Sequence, residues 1–326
     1  MTAAGKAPLA DKAPQPALPA TRPSIALALG GGGARGLAHI LMLEVLDELG
    51  LKPTVIAGTS IGAIFGAAYA SGLSARLIRA HTEEVLSQRF GFARSLLAAR
   101  SEPVLRLLNI LPVRSSLLSP ELLLDQMLPS KVAQDFAHLA IPFKVVATDF
   151  YAQEQVIFES GALRRAVAAS IALPALFTPV KLNHRLLMDG GLVNPLPFDV
   201  LEGEADLTVA VDVTGASSGE PGKRSQPTVL AALVSASQIL QRTIVREKLK
   251  ANRPDVYIDV DVDQFNVLEF HRFKEILAAA QPAKEQLQRQ LERVLTSHPA
   301  ETLPAAPADT PKRITGLRRL TRRPPA

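Results

Sequence analysis

Short apolar runs alternate with stretches of helical periodicity along most of the chain. The runs are Ser24–Leu29, Thr54–Thr59, Phe143–Phe150, Arg185–Asp189, Asp206–Val213 and Asp255–Val262. Apolar residues at consecutive positions imply strands covered on both faces, and such strands separated by helices predict a parallel or mixed sheet between helical layers. Helices are predicted after each of the first two strands, as several pieces across about 72–141, and at about 227–250 and 268–295. Gly72 fits the position just past the helix that follows Ser60, and Ser119-Pro120-Glu121 reads as N-cap, first-turn proline and acidic first turn. Segments 1–23, 214–226 and 297–326 are rich in Pro, Gly, Ser or charge and lack apolar periodicity. One folded domain over 24–296 with unstructured ends is therefore expected.

Composition narrows the chemistry. The 326 residues are 47% hydrophobic, enough for a sizeable core, and contain no Cys. That excludes disulfides, thiolate metal sites and a thiol nucleophile, and leaves oxygen or nitrogen to attack. The net charge of +5 sits at the ends. Within 1–23 and 309–326, Lys6, Lys12, Arg22, Lys312, Arg313, Arg318, Arg319, Arg322 and Arg323 lie against only Asp11 and Asp309, so the body between them is slightly acidic. With no Trp and no basic face interleaved with aromatic rings, nucleic acid is not an expected partner. No run approaches ~18 apolar residues, and the Ala/Pro-rich start lacks a continuous apolar core, so a cytoplasmic protein is expected.

Ser24–Leu29 runs into Gly30-Gly31-Gly32-Gly33-Ala34-Arg35-Gly36, with a helical pattern behind it. Consecutive glycines bring bare N–H groups against a ligand, and a helix N-terminus adds partial positive charge, so the loop suits a negative oxygen. Read as a dinucleotide fingerprint, Gly31-x-Gly33-x-x-Gly36 lacks the acid about 20 residues on that would bind a ribose. Read as a P-loop, it lacks the Gly-Lys-Ser/Thr ending. On the loop alone a dinucleotide site, a tight turn and an oxyanion hole all stay open, and the last needs a nucleophile nearby.

The next strand supplies one. Gly58-Thr59-Ser60-Ile61-Gly62 is a Gly-x-Ser-x-Gly elbow between a strand and an Ala/Gly-rich helix, which pushes Ser60 out at the carboxyl edge of the sheet. Ser60 as a mere helix cap is the bland alternative. The hydroxyl needs a proton acceptor. His184 and His271 could close a Ser-Asp-His order, but Ser60 follows only the second strand, early for an α/β-hydrolase triad, so these and His39, His81, His138 and His298 read as surface or structural. Asp189, at a strand end before Gly190-Gly191, is the stronger candidate base, with a simple turn as the alternative. A carboxylate of reference pKa about 4 serves only in a partly desolvated site with a well-held oxyanion.

Together these blocks resemble the patatin-like phospholipase family. Gly31-Gly32-Gly33-Ala34-Arg35-Gly36 is similar to the family's oxyanion loop, Gly58-Thr59-Ser60-Ile61-Gly62 to its nucleophile elbow and Asp189-Gly190-Gly191 to its Asp-Gly-Gly/Ala block. Ala169-Ser170-Ile171-Ala172-Leu173-Pro174 and Ala147-Thr148-Asp149 resemble two further blocks. The resemblance implies a three-layer α/β/α fold with a mostly parallel central sheet, a helical insertion after the nucleophile helix, and no cofactor or metal. It implies cleavage of lipid acyl esters by a Ser60–Asp189 dyad, with Gly31, Gly32 and Gly33 as oxyanion donors, Arg35 ordering their loop, and Ser170 and Pro174 shaping the pocket wall. Leu105, Leu107, Leu108, Ile110 and Leu111 would offer an acyl-binding surface or ordinary core, and the basic C-terminal tail a contact with anionic membrane or a solubilising tail. The alternatives are a non-hydrolytic lipid- or partner-binding regulator on the same fold and a nucleotide-dependent oxidoreductase. Head group, positional preference and oligomeric state are not legible in the sequence.

Overall fold

The computed structural model describes residues 23–88, 118–215 and 229–297. Residues 1–22, most of 214–226, the Leu105–Leu111 stretch and the basic tail lie outside the described residues. Among the described residues the strands are β1 (Ile25–Leu29), β2 (Val55–Thr59), β3 (Phe143–Asp149), β4 (Glu154–Phe158), β5 (Val180–Leu182), β6 (Arg185–Asp189), β7 (Leu207–Asp212) and β8 (Val256–Asp259). The helices are α1 (His39–Glu48), α2 (Ile61–Ala70), α3 (Ala75–Gln88), α4 (Pro120–Met127), α5 (Leu163–Ser170), α6 (Val229–Ala251) and α7 (Phe273–Ser297).

The six predicted strands all form. β3, β2, β1, β7 and β8 lie side by side in parallel, β4 and β6 run antiparallel to β3, and β5 pairs β6. β4 and β5 had no apolar run to announce them: β4 is largely exposed and begins Glu154-Gln155, and β5 has three residues.

Residue size decides how each face is covered. In β1, Ile25, Leu27 and Leu29 join the larger core, while Ala26 and Ala28 join a smaller one. β7 repeats the pattern with Val209 and Val211 against Ala210. The bulky face holds α1, α2, α5 and α7. The alanine face lets residues 195–201 and the Val245 turn of α6 lie close. The result is a three-layer α/β/α arrangement with a mostly parallel sheet.

Two local expectations change. The glycine loop leads first into a 3-10 turn, Gly33–Ala38, and only then into α1, because the Ala34 N–H is drawn to Val267 O at 2.8 Å. Ser119 holds the N-cap position of α4 with Pro120 and Glu121 in the first turn, but its hydroxyl donates to Glu121 and makes no cap bond to the backbone.

The topology also sets up a meeting point. β2 pairs β3 through Phe143–Val146, β6 pairs it through Ala147–Asp149, and β4 occupies Val145–Asp149. A strand has two edges, so β2 and β6 share the edge opposite β4 and meet there end to end. Thr59 lies opposite Val146 and Asp189 opposite Ala147.

Candidate active site

At that junction the Ser60 hydroxyl donates to Asp189 Oδ2 at 2.7 Å. The backbone of Ser60 sits at φ 55°, ψ −123°, a strained region for a residue with a side chain that costs about 1–3 kcal/mol unless its surroundings hold it. They do. The Ser60 N–H donates to Ser170 Oγ at 2.9 Å, and the Ser170 hydroxyl donates to Val146 O at 2.6 Å. Gly62 lets α2 approach β1, because a Cβ there would stand 2.1 Å from Leu29 O. Gly58 lies within β2, and Gly36 packs against Ile61 at the start of α2.

Asp189 is 3% exposed. Burial pushes its carboxyl up to about 6, opposed in part by the Gly191 N–H and the Ser60 hydroxyl. Gly190 and Gly191 open a 3-10 turn, and the Gly191 N–H donates to Asp189 Oδ1 at 2.7 Å. Thr148, from the Ala147-Thr148-Asp149 block, donates its hydroxyl to Asp189 O at 2.7 Å and so fixes the backbone of the acid.

The geometry narrows the expected set of oxyanion donors. The Gly31 N–H already donates to Pro195 O at 2.8 Å, so Gly31 is not available. Gly30 and Ala34, on either side, donate to Val211 O and Val267 O. Gly32 and Gly33 remain, with no protein acceptor for their N–H groups among the described residues, and both line the cleft at Ser60. Gly33 takes φ +58°, and a Cβ on it would stand 2.5 Å from Val267 O. Arg35 is no direct donor to the site either. Its Nε donates to Phe265 O at 2.8 Å and its guanidinium reaches Thr214 O, which ties the loop to two distant segments. Burial lowers its pKa.

No histidine among the described residues lines the cleft. His39 is fully buried beneath the loop, with Nε2 2.8 Å from Gly30 O. A carbonyl accepts only, so Nε2 carries the proton, and burial pulls this ring down to about 4. It is a neutral structural group. No cluster of three or more His, Cys, Asp or Glu suited to a metal ion occurs among the described residues.

The cleft at Ser60 holds a cavity of about 80 Å³. Its walls are largely apolar: Leu123 and Met127 of α4, Leu173 and Phe177 after α5, and Val234 of α6. Sequence reasoning missed α6 as a wall and gave Ser170 a general shaping role instead of its grip on the Ser60 amide. Conspicuously uncharged residues in the first half of α6 were the available signal.

Fold and site define an α/β protein built around a serine in direct contact with a buried carboxylate. The chain belongs to the patatin-like phospholipase family, whose model matches residues 27–202, more than half of it. An uncharacterized NTE family protein of Mycobacterium tuberculosis is 38% identical over 210 residues, 64% of this chain and 54% of that protein. Patatin-like phospholipase domain-containing protein 6 of Homo sapiens is 37% identical over 196 residues, 58% of this chain and 13% of that one. The chain thus spans about half the length of the mycobacterial relative. Among solved structures, VipD from Legionella pneumophila aligns with TM-score 0.43 and 18% identity, covering 83% of this chain and 67% of that one. ExoU in its complex with SpcU from Pseudomonas aeruginosa aligns with TM-score 0.45 and 15% identity, covering 85% and 53%. No helix among the described residues is long and apolar enough to cross a membrane.

Proposed function

We propose that this protein is a serine acyl-hydrolase of the phospholipase A or lysophospholipase type, cleaving acyl esters of lipids through a Ser60–Asp189 dyad. The observation that carries the reading is the 2.7 Å hydrogen bond from the Ser60 hydroxyl to the Asp189 carboxylate. It lies in an apolar cleft beside two unengaged amide hydrogens.

The ionised Asp189 carboxylate takes the Ser60 proton as Oγ attacks the acyl carbonyl carbon. The carbonyl oxygen becomes an oxyanion and accepts from the Gly32 and Gly33 N–H groups, each such donor stabilising the transition state by about 3 kcal/mol. α2 adds the partial positive charge of its N-terminus. As the tetrahedral intermediate collapses, the ester C–O bond breaks and the alcohol leaves with the proton held by Asp189, so the acyl group stays on Ser60. Water then attacks the acyl carbon and gives its proton to Asp189. The second collapse releases the fatty acid, and the proton returns to Ser60. A carboxyl raised to about 6 is a stronger base than an ordinary one and still mostly ionised at neutral pH. Apolar walls suit an acyl chain. Contact of residues 309–326 with anionic membrane is a separate proposal, since those residues lie outside the described ones.

Incubation with phospholipid and lysophospholipid, followed by measurement of released fatty acid, tests the reading. Wild type is expected to release fatty acid, and Ser60→Ala to lower the rate by at least about a thousandfold. Undiminished release by Ser60→Ala overturns the dyad. Lipid binding by folded wild type without any release favours a non-hydrolytic regulator.

A further inference from the structure

The first half of α6, Val229–Gln241, contains no charged residue, yet much of it faces solvent. Val229, Leu233, Ile239 and Leu240 are 64%, 56%, 67% and 62% exposed. They are four of the nine large apolar side chains exposed among the described residues, and all four stand on one helix. Exposed Ala232 and Ala236 fill the gaps between them, so the spacing makes a continuous helical stripe. Single exposed apolar residues are ordinary, but a stripe of them marks a contact surface.

Two features say what it contacts. The inner side of the same helix turns Val234, Ser237 and Gln241 into the cleft, so the stripe is the outside of the wall whose inside faces Ser60. Across the cleft, exposed Leu122 precedes cleft-lining Leu123. Beyond Gln241 the exposed face of α6 carries Arg246 and Lys250, both about two-thirds exposed and both paired with Glu247, which leaves one net positive charge there. At 1.5 Å per residue, Arg246 stands about 10 Å along the axis from Ile239.

We propose that α6 is the face by which this protein seats on a lipid bilayer bearing anionic headgroups. The uncharged stripe enters the headgroup and acyl boundary, and Arg246 and Lys250 meet the phosphates. Interfacial helices of this kind bury their apolar face by about 5–10 Å, which would set this wall of the cleft at the acyl boundary. A lipid could then enter the cleft without crossing water. That last step rests on the acyl-hydrolase reading above; the docking surface does not. It is also distinct from the basic tail.

The test uses the full chain and a double variant, Ile239→Glu with Leu240→Glu, at two solvent-facing positions outside the cleft lining. Two readouts are taken: co-sedimentation with phosphatidylcholine–phosphatidylglycerol vesicles, and hydrolysis of water-soluble p-nitrophenyl butyrate. The vesicle-bound to free ratio is expected to fall at least about tenfold in the variant while butyrate hydrolysis stays at the wild-type rate. Arg246→Gln with Lys250→Gln is expected to weaken binding to these vesicles and to leave binding to pure phosphatidylcholine unchanged. Failure of the wild type to bind vesicles overturns the proposal. So does unchanged binding by the Ile239→Glu/Leu240→Glu variant, including the case where only removal of 309–326 abolishes binding. A wild-type dimer that this variant converts to monomer assigns the stripe to a second copy and overturns it too. Vesicle binding lost in the variant, with no butyrate hydrolysis even by wild type, supports the surface and sinks the hydrolase reading instead.

Discussion

The Asp189 carboxyl, almost wholly buried at the edge of the cleft, accepts one hydrogen bond on each oxygen, from the Gly191 N–H and the Ser60 hydroxyl. No cation among the described residues is paired with it. Its pKa therefore rises from 3.8 to about 6, which has two consequences. Below about 6 the base is protonated, so kcat/KM for ester hydrolysis is expected to fall roughly tenfold per pH unit on the acid side. A flat profile between pH 4 and 7 would contradict this role. The raised pKa also makes the charged acid a burden on the fold. Between the unfolded and folded values the native state holds a proton that the unfolded chain has lost, so stability declines as pH rises from about 4 to about 6, by roughly 3 kcal/mol in all. Asp189→Asn removes that charge. It is expected to melt higher than wild type at pH 8, with the gap narrowing at pH 4, as thermal unfolding at the two pH values would read. At this scale much was legible: Ser60 and Asp189 are marked by local glycine patterns that strained turns require. That the Gly31 N–H is engaged was not legible, because its acceptor, Pro195 O, is brought in by tertiary folding alone.

Helix α5 does more than cover the sheet, since its last residue, Ser170, joins the strand ends that make the site. Its hydroxyl accepts from the Ser60 N–H of the elbow and donates to Val146 O of β3. Ser170→Ala leaves a buried donor and acceptor unpaired, which costs about 1–3 kcal/mol each, and frees the elbow to relax. Urea unfolding should show that loss, and kcat should drop with little change in KM. Wild-type stability and turnover in this variant would mean the strained φ of Ser60 needs no such brace. Strands apolar on both faces were legible because each periodic run is a strand by itself. β4 and β5 escaped because their pairing comes from β3 and β6, and Ser119, correctly placed at the N-cap, makes no cap bond because Glu121 competes for its hydroxyl.

Across the whole molecule the two faces of the sheet are coupled through residues 194–199. Thr59 beside the nucleophile donates to Asn194 O at 2.8 Å, and Gly31 donates to Pro195 O. Lys248 of α6 holds the same segment from behind through Asn194 Oδ1, Leu196 O and Asp199. Lys248→Met is expected to lower stability by roughly 2–3 kcal/mol and to slow turnover, read by unfolding and steady-state kinetics together; normal kinetics would show that the segment holds itself. The proposed mechanism draws on all these arrangements through direct proton transfer from Ser60 to Asp189. The most direct measurement is the rate at which a fluorophosphonate modifies Ser60, followed by mass spectrometry of wild type and Asp189→Asn across pH. The account predicts one adduct, on the Ser60 peptide, forming faster as pH rises through about 6, and at least about a hundredfold slower in Asp189→Asn. An adduct elsewhere, or equal rates in the two proteins, would contradict it.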